Sequence, residues 1–378
     1  MNKWRLDNGM ETQNKILTII VPSYNMEAYL PKCLGSLIID DKDLLQKLEV
    51  IVVNDGSKDR TSEIAHEFEA NYPGVFRVID KKNGHYGSCI NAGLAIATGF
   101  YVKVLDADDW FITGHFQNFL RFIDNEYLKG SDSADLILSD WEQGTESDYG
   151  AVICSYSYLK TCEDYTVADI EFSDGHRFEM VAVTYKLEVI KCSGYRQDEG
   201  ITHTDKLWIN LPMAFVHKVK TFDEVIYHYY ATRPENTCNR IEFYRTYYVQ
   251  MEMIKRMIRQ YNVVEEKLEP ENKKFMQKHI KYRAVKAYVL NIIERNPLLI
   301  KCDLKDFDDY IKGFAPWLYY ELDKLTISRR LPYKYIRDWR RHQAVTFLIK
   351  IKLISAMVVL RSYIVLCGVK RNIFGGRK

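Results

Sequence analysis

No two cysteines stand as a C-x-x-C pair, and none of the eight, at positions 33, 89, 154, 162, 192, 238, 302 and 367, joins a close Cys/His cluster. A zinc-site spacing is thereby excluded, and reduced intracellular thiols are the expectation. The opening MNKWRLDNGMETQNK lacks the basic-then-apolar profile of a secretory signal, so the folded part is expected in the cytoplasm. Neither G-x-G-x-x-G after a strand nor G-x-x-x-x-G-K-[ST] occurs, which excludes the dinucleotide fingerprint and the P-loop. Internal repeats and low-complexity stretches are also missing. A long uncharged apolar run is missing too. The best candidate span, Leu353 to Val369, has Arg361 near its centre, at about 2.5–3.5 kcal/mol on insertion scales, and Lys350 and Lys352 stand at one end.

What is present is a chain of 378 residues, 47% hydrophobic and 28% charged, enough for a sizeable core and too apolar for disorder. Its 53 Lys/Arg and 51 Asp/Glu nearly cancel, but the balance conceals a division. From Arg329 to Lys378 there are thirteen basic residues and only Asp338 is acidic, leaving 40 basic and 50 acidic residues before them. A body of net −10 therefore carries a tail of net +12. The tail joins RRLPYKYIRDWRR (329–341) to TFLIKIKLISAMVVLRSYIVLCG (346–368), in which Lys350 and Arg361 share a helical face. Charge and interfacial rings suit an anionic membrane surface, with a core-packed helix bearing a basic edge as the alternative. No nucleic-acid recognition module is present, and the acidic body opposes such a role.

Apolar runs at 16–22, 48–55, 76–80 and 100–105 predict buried parallel strands, with helices over 27–39, about 59–71 and 88–98 between them. This is the alternation of a doubly wound α/β fold. Residues 114–129 predict a helix and 134–140 a strand, and 149–185 predicts antiparallel additions. Short helices are expected over 186–192 and 203–211, and a strand or bordering loop over 222–230. Helical spacing over 241–260, 272–294 and 304–325 predicts a mostly α appendage. The expected division is an extension at 1–15, an α/β domain at 16–235, a helical appendage at 236–328 and a basic amphipathic tail at 329–378.

Ligands of open α/β sheets bind beyond the carboxyl ends of the strands. Four such ends carry polar clusters: Pro22-Ser23-Tyr24-Asn25, Asn54-Asp55-Gly56-Ser57, Lys82-Asn83-Gly84-His85 and Asp106-Ala107-Asp108-Asp109. Three carboxylates in four residues repel one another unless a cation, a basic side chain or water intervenes, and a DxD on such a corner suits Mg²⁺ or Mn²⁺ with a diphosphate. The competing expectation is that Asp108 and Asp109 cap a helix after Trp110. Lys103 is buried by its strand position if its side chain points inward, or else reaches a carboxylate or phosphate near the DxD or lies on an ordinary solvated face. Asp55 either accepts from a base N–H or forms an Asx turn. Asn83 to Ser88 either folds against a ligand or serves as turn and cap.

PSYN near residue 22, VNDGS at 53–57, KNGHYGSCINAGL at 82–94 and KVLDADDW at 103–110 together resemble the family 2 glycosyltransferases with the GT-A fold, particularly bacterial enzymes of surface-polysaccharide synthesis. The resemblance covers about residues 16–235. It departs from the family pattern at Gly84-His85 and at Ser88-Cys89-Ile90-Asn91. It implies a GT-A nucleotide-diphospho-sugar transferase fold with a helical C-terminal extension, and an inverting transfer to a saccharide or lipid-linked saccharide. The implied donor site comprises Pro22, Tyr24, Asn25, Asp55, Asn83, Lys103, Asp106, Ala107, Asp108 and Arg233, with Mn²⁺ or Mg²⁺ held by Asp106 and Asp108. Within GITHTDKLWINLPM (200–213) the resemblance implies Asp205 as the base, with Thr204 in place of the usual preceding acid and His203 near the acceptor. Arg233, in the segment His228 to Asn236, would neutralise phosphate. A nucleotidyltransferase is the enzymatic alternative, although the first loop, SYNMEAY, lacks its Gly/Arg/Lys-rich character. A non-catalytic sugar-nucleotide-binding scaffold is the third reading. The expected location is the inner face of the cell membrane, with peripheral contact through the tail.

Overall fold

The computed structural model describes residues 15–145, 151–161, 163–172, 178–200, 205–231, 247–293, 297–326 and 333–342. These residues divide into two compact units, Met1–Arg245 with Val264–Met276, and Thr246–Val263 with Gln277–Lys378. The expected boundary near 235 lies outside the described residues.

The first unit is built on β1 (Leu17–Ser23), β2 (Leu48–Asn54), β3 (Phe76–Asp80) and β4 (Tyr101–Val104). These pair in parallel in the order β3-β2-β1-β4. Every residue of β1, β2 and β4 is buried, which is why they read as continuous apolar runs rather than alternating ones. The helices between them are α1 (Leu30–Gly35), α2 (Lys42–Gln46), α3 (Thr61–Asn71) and α4 (His85–Ile96). The expected helix over 27–39 is cut to α1. It follows a turn at Met26–Tyr29, and Ser36 Oγ then bonds the Cys33 carbonyl at 2.6 Å and the Phe111 amide at 3.0 Å. After an interval, α2 starts afresh from an Asp41 cap.

Antiparallel strands complete the sheet: β5 (Trp110–Phe111), β6 (Leu136–Gly144), β7 (Val152–Cys154), β8 (Val183–Lys186) and β9 (Val219–Tyr230). The order is β3-β2-β1-β4-β8-β6-β9-β5, with β7 beside β6. The β6–β9 pair is itself parallel and shifts register after Ser139, so that Phe222 faces Ser139 while Val225 faces Asp140. The α5 helix (Thr113–Leu128) and the short helices α6 (Leu187–Cys192) and α7 (Asp205–Trp208) also belong to this unit, beside several 3-10 turns.

The second unit is formed by helices α8 (Tyr247–Val264), α9 (Pro270–Ile293), α10 (Pro297–Phe314), α11 (Pro316–Lys324) and α12 (Tyr335–His342), although the first turns of α9 cluster with the first unit. The single helix expected over 304–325 is broken at Ala315-Pro316, because Pro316 has no N–H to donate and starts a new first turn. In this core, Asp308 accepts from the Tyr288 hydroxyl and from Arg340 Nε at 2.9 Å, and the Arg340 guanidinium lies 3.6 Å from the Tyr319 ring centroid.

Over Tyr335–Arg340 that arrangement matches the alternative of a core-packed helix with a basic edge. Tyr335, Ile336 and Trp339 are buried and Arg340 is committed to Asp308, so these rings and this cation serve packing. The rest of the tail, 343–378, lies outside the described residues. Among the described residues, no helix is long and apolar enough to cross a membrane.

Candidate active site

The acidic corner follows β4 directly. Asp106 and Asp108 are half-buried and Asp109 is completely buried. Asp109 accepts from the Tyr227 hydroxyl at 2.6 Å and from the Tyr230 amide at 2.8 Å. Burial, then the charges of Asp108 and Asp106, push its carboxyl well above the usual range. The Tyr227 hydroxyl also accepts the Asp106 amide at 3.2 Å, so one buried phenol ties β9 to both ends of the corner. The helix-cap expectation for Asp108 and Asp109 fails here. Trp110 and Phe111 pair with His228 and Tyr227, and α5 begins only at Thr113, with no side-chain cap. Trp110 is covered by His228 on one side, ring centroids 4.2 Å apart, and has the Lys32 ammonium 3.3 Å from its ring centroid.

Tyr86, in the first turn of α4, donates to Asp106 Oδ1 at 2.7 Å. Its phenol is pushed well up, first by desolvation and then by Asp106, with smaller contributions from Asp205 and Asp108. The DxD corner and Asp205, about one hundred residues apart in sequence, therefore share one electrostatic neighbourhood at this hydroxyl. Asp205 opens α7, and its Oδ2 lies 2.5 Å from Lys206 Nζ. The chain leading towards α7 is tied to α4. Asn91 donates to the Gln197 carbonyl at 2.9 Å and to Glu199 at 2.8 Å and accepts from the Gln197 amide at 2.9 Å. The approach is so close that a Cβ on Gly87 would lie 1.9 Å from the Asp198 oxygen.

The strand ends on the other side of the site interlock. Pro22 is buried within β1, Tyr24 is 42% exposed, and Asn25 adopts φ 53°, with its amide donating to Ser57 Oγ at 3.0 Å and its own Oδ1 accepting from the Lys58 amide at 2.8 Å. Gly56 turns at φ 72°, and a Cβ there would meet the Asn83 amide at 3.1 Å. Asp55 is buried, and its Oδ1 accepts from Lys81 Nζ at 2.6 Å and from the Gly84 amide at 3.0 Å. The open alternatives at Asp55 thus meet an ion pair that neither had included.

Lys103 takes the inward-pointing alternative rather than a place in the donor site. It reaches no carboxylate; fully buried, it donates to the Val181 carbonyl at 2.5 Å and the Val183 carbonyl at 3.4 Å, and desolvation brings its ammonium down to about 7. A strand residue buried on both faces points into the interior, and the nearest acceptors there are backbone. Ala107 is buried. Arg233, His203 and Thr204 lie outside the described residues. The sequence motifs did not single out Lys81, Tyr86 and Tyr227. Tyr86 stood within a glycine-punctuated loop read as a unit, and Tyr227 stood in an aromatic run.

Asp106 and Asp108 offer hard carboxylate oxygens one residue apart and open enough to reach, which suits Mg²⁺ or Mn²⁺. Among the described residues, no group of three or more His, Cys, Asp and Glu could hold an ion alone. The donor set therefore fits an ion that completes its shell with water and ligand oxygens.

A parallel 3-2-1-4 half, antiparallel extension and an acidic corner after the fourth strand define the GT-A fold. The S. aureus TarS 1-349 structure in complex with UDP-GlcNAc superposes with a TM-score of 0.66 at 17% identity, covering 89% of this chain and 90% of that one. Residues 18–132, the segment that carries the motifs, match the family model "Glycosyl transferase family 2". An uncharacterized glycosyltransferase of Mycoplasma genitalium is 36% identical over 118 residues, 31% of this chain and 39% of that protein. The minor teichoic acid biosynthesis protein GgaB of Bacillus subtilis is 37% identical over 111 residues, 29% of this chain and 12% of that protein. The matched segment thus spans about two fifths or less of these curated relatives.

Proposed function

We propose that the protein is an inverting, metal-dependent glycosyltransferase that moves a sugar from a nucleotide-sugar donor to a saccharide or lipid-linked saccharide in bacterial surface-polysaccharide synthesis. The observation that carries this reading is the acidic corner after β4, where Asp106 accepts from the Tyr86 hydroxyl at 2.7 Å and Asp108 follows half-buried, with the charge of Asp205 also felt at that hydroxyl. An acidic corner for the diphosphate and a separate carboxylate for the acceptor are the groups that a displacement at C1 requires. The UDP-GlcNAc of TarS and the teichoic acid role in GgaB's name support a nucleotide-sugar donor and a polymer acceptor.

In this mechanism, Tyr24 and Asp55 receive the base, with Pro22, Asn25 and Asn83 shaping the loops around it, and Arg233 meets the diphosphate. Tyr86 orients Asp106 by donating to one of its oxygens. Asp109, braced by Tyr227 and the Tyr230 amide, fixes the turn that presents Asp106 and Asp108. Asp106 and Asp108 would hold a divalent ion, which when bound would supply Lewis-acid stabilisation of the leaving diphosphate. Asp205 takes the acceptor hydroxyl proton as its oxygen attacks C1, while the bond from C1 to the diphosphate oxygen breaks and its electron pair leaves with the nucleoside diphosphate.

The test is a panel of UDP-, GDP- and dTDP-sugars with saccharide acceptors, assayed with Mn²⁺, with Mg²⁺ and with chelator. Nucleoside diphosphate release that requires the ion is the expected result. Nucleotide binding with no release from any donor would contradict the reading.

A further inference from the structure

Lys81 lies just past β3 and is 22% exposed, whereas the side chain of its partner Asp55 is 3% exposed. An ammonium has three N–H bonds, and here there are three acceptors: Asp55 Oδ1 at 2.6 Å, Ser88 Oγ at 2.7 Å and the Lys82 carbonyl at 2.7 Å. With every donor spent within the protein, Lys81 has none left for a phosphate oxygen. Its effect falls on Asp55. The Gly84 amide closes on the same oxygen at 3.0 Å, so two donors fix the carboxylate plane and leave the remaining acceptor capacity for a ligand. Ser88 is held in turn, donating to the His85 carbonyl at 2.7 Å. The knot has no slack, since a Cβ on Gly84 would lie 2.7 Å from Ser88 Oγ and 3.2 Å from Lys81 Nζ.

A fixed carboxylate acceptor attracts a ring N–H and repels a ring-nitrogen lone pair. Uracil and thymine carry an N–H at ring position 3, where cytosine carries a lone pair. We infer that Lys81 is a positioning residue for nucleobase choice, holding Asp55 so that the site takes a uracil-type base over cytosine. The inference rests on the nucleotide-sugar reading above, in which Asp55 receives the base, and adds to it Lys81 as the residue that holds Asp55 in place.

Calorimetric titration of the full-length protein with UDP and with CDP tests it, using wild type, Lys81→Met and Ser88→Ala. Wild type should bind UDP at least about tenfold more tightly than CDP, the scale of one charge-assisted hydrogen bond. Lys81→Met should lose about tenfold in UDP affinity with CDP little changed, so that the preference collapses, and Ser88→Ala should fall between. Folding is checked by circular dichroism, and Ser88→Ala carries the test should Lys81→Met not fold. A folded variant that keeps the full preference, or loses both nucleotides equally, would overturn the inference, as would a wild type indifferent to the base. A wild type that binds neither nucleotide would instead overturn the nucleotide reading, and this inference with it.

Discussion

Lys103 and Asp109 are two buried ionisable groups near the proposed reaction centre, and their surroundings treat them differently. Asp109 has a phenol and an amide within 2.8 Å to offset desolvation, whereas Lys103 has only carbonyl oxygens. With no opposing carboxylate, burial lowers Lys103 from an unfolded value near 10.5 to about 7 in the folded protein. Between those values the unfolded chain binds the extra proton, so stability rises with pH across the window; below about 7 the full cost is present. Urea unfolding at pH 7 and pH 9 should therefore show wild type gaining about 2 kcal/mol relative to Lys103→Met. The variant's orphaned carbonyls contribute an offset that does not change with pH. Parallel stability curves would mean that Lys103 does not titrate in this range.

At the scale of elements, the parallel half was legible because strands buried on both faces must be apolar throughout, and the polar residues that end them then stand out. What the sequence hid depends on partners far along the chain. The two-residue β5 has no periodicity of its own and exists because β9 pairs with it, so Asp108 and Asp109 looked like caps for a helix that begins only at Thr113. The same distant pairing supplies Tyr227 as the brace of the acidic corner. Lys81 stood one residue before the loop read as Lys82 to His85, and nothing local reveals that its ammonium is returned to Asp55. In the helical unit, the apolar rhythm continues across Ala315-Pro316 and concealed the break, while the aromatic letters of α12 and Arg340 describe an inward face and Arg341 stays exposed.

For the whole molecule, the division of charge takes a narrower meaning. Tyr335 to Arg340 belong to the packed helical unit, so the proposal of lipid contact narrows to the sequence after His342. That segment keeps seven of the thirteen basic residues and none of the acidic ones. Flotation with vesicles containing anionic lipid should retain the full-length protein and lose most of a chain ending at residue 342, and the difference should shrink as salt is raised. Equal flotation of the two chains would remove lipid attachment from the account.

The central claim is that two carboxylate groups of one GT-A site divide the labour, with the Asp106–Asp108 corner serving the donor and Asp205 serving the acceptor. Asp205→Asn separates them most directly when donor affinity and transfer rate are measured on the same full-length protein. Removal of a general base should slow transfer by about 10²–10⁴-fold, with donor affinity retained within about twofold. Transfer at the wild-type rate, or joint loss of transfer and donor binding, would contradict it.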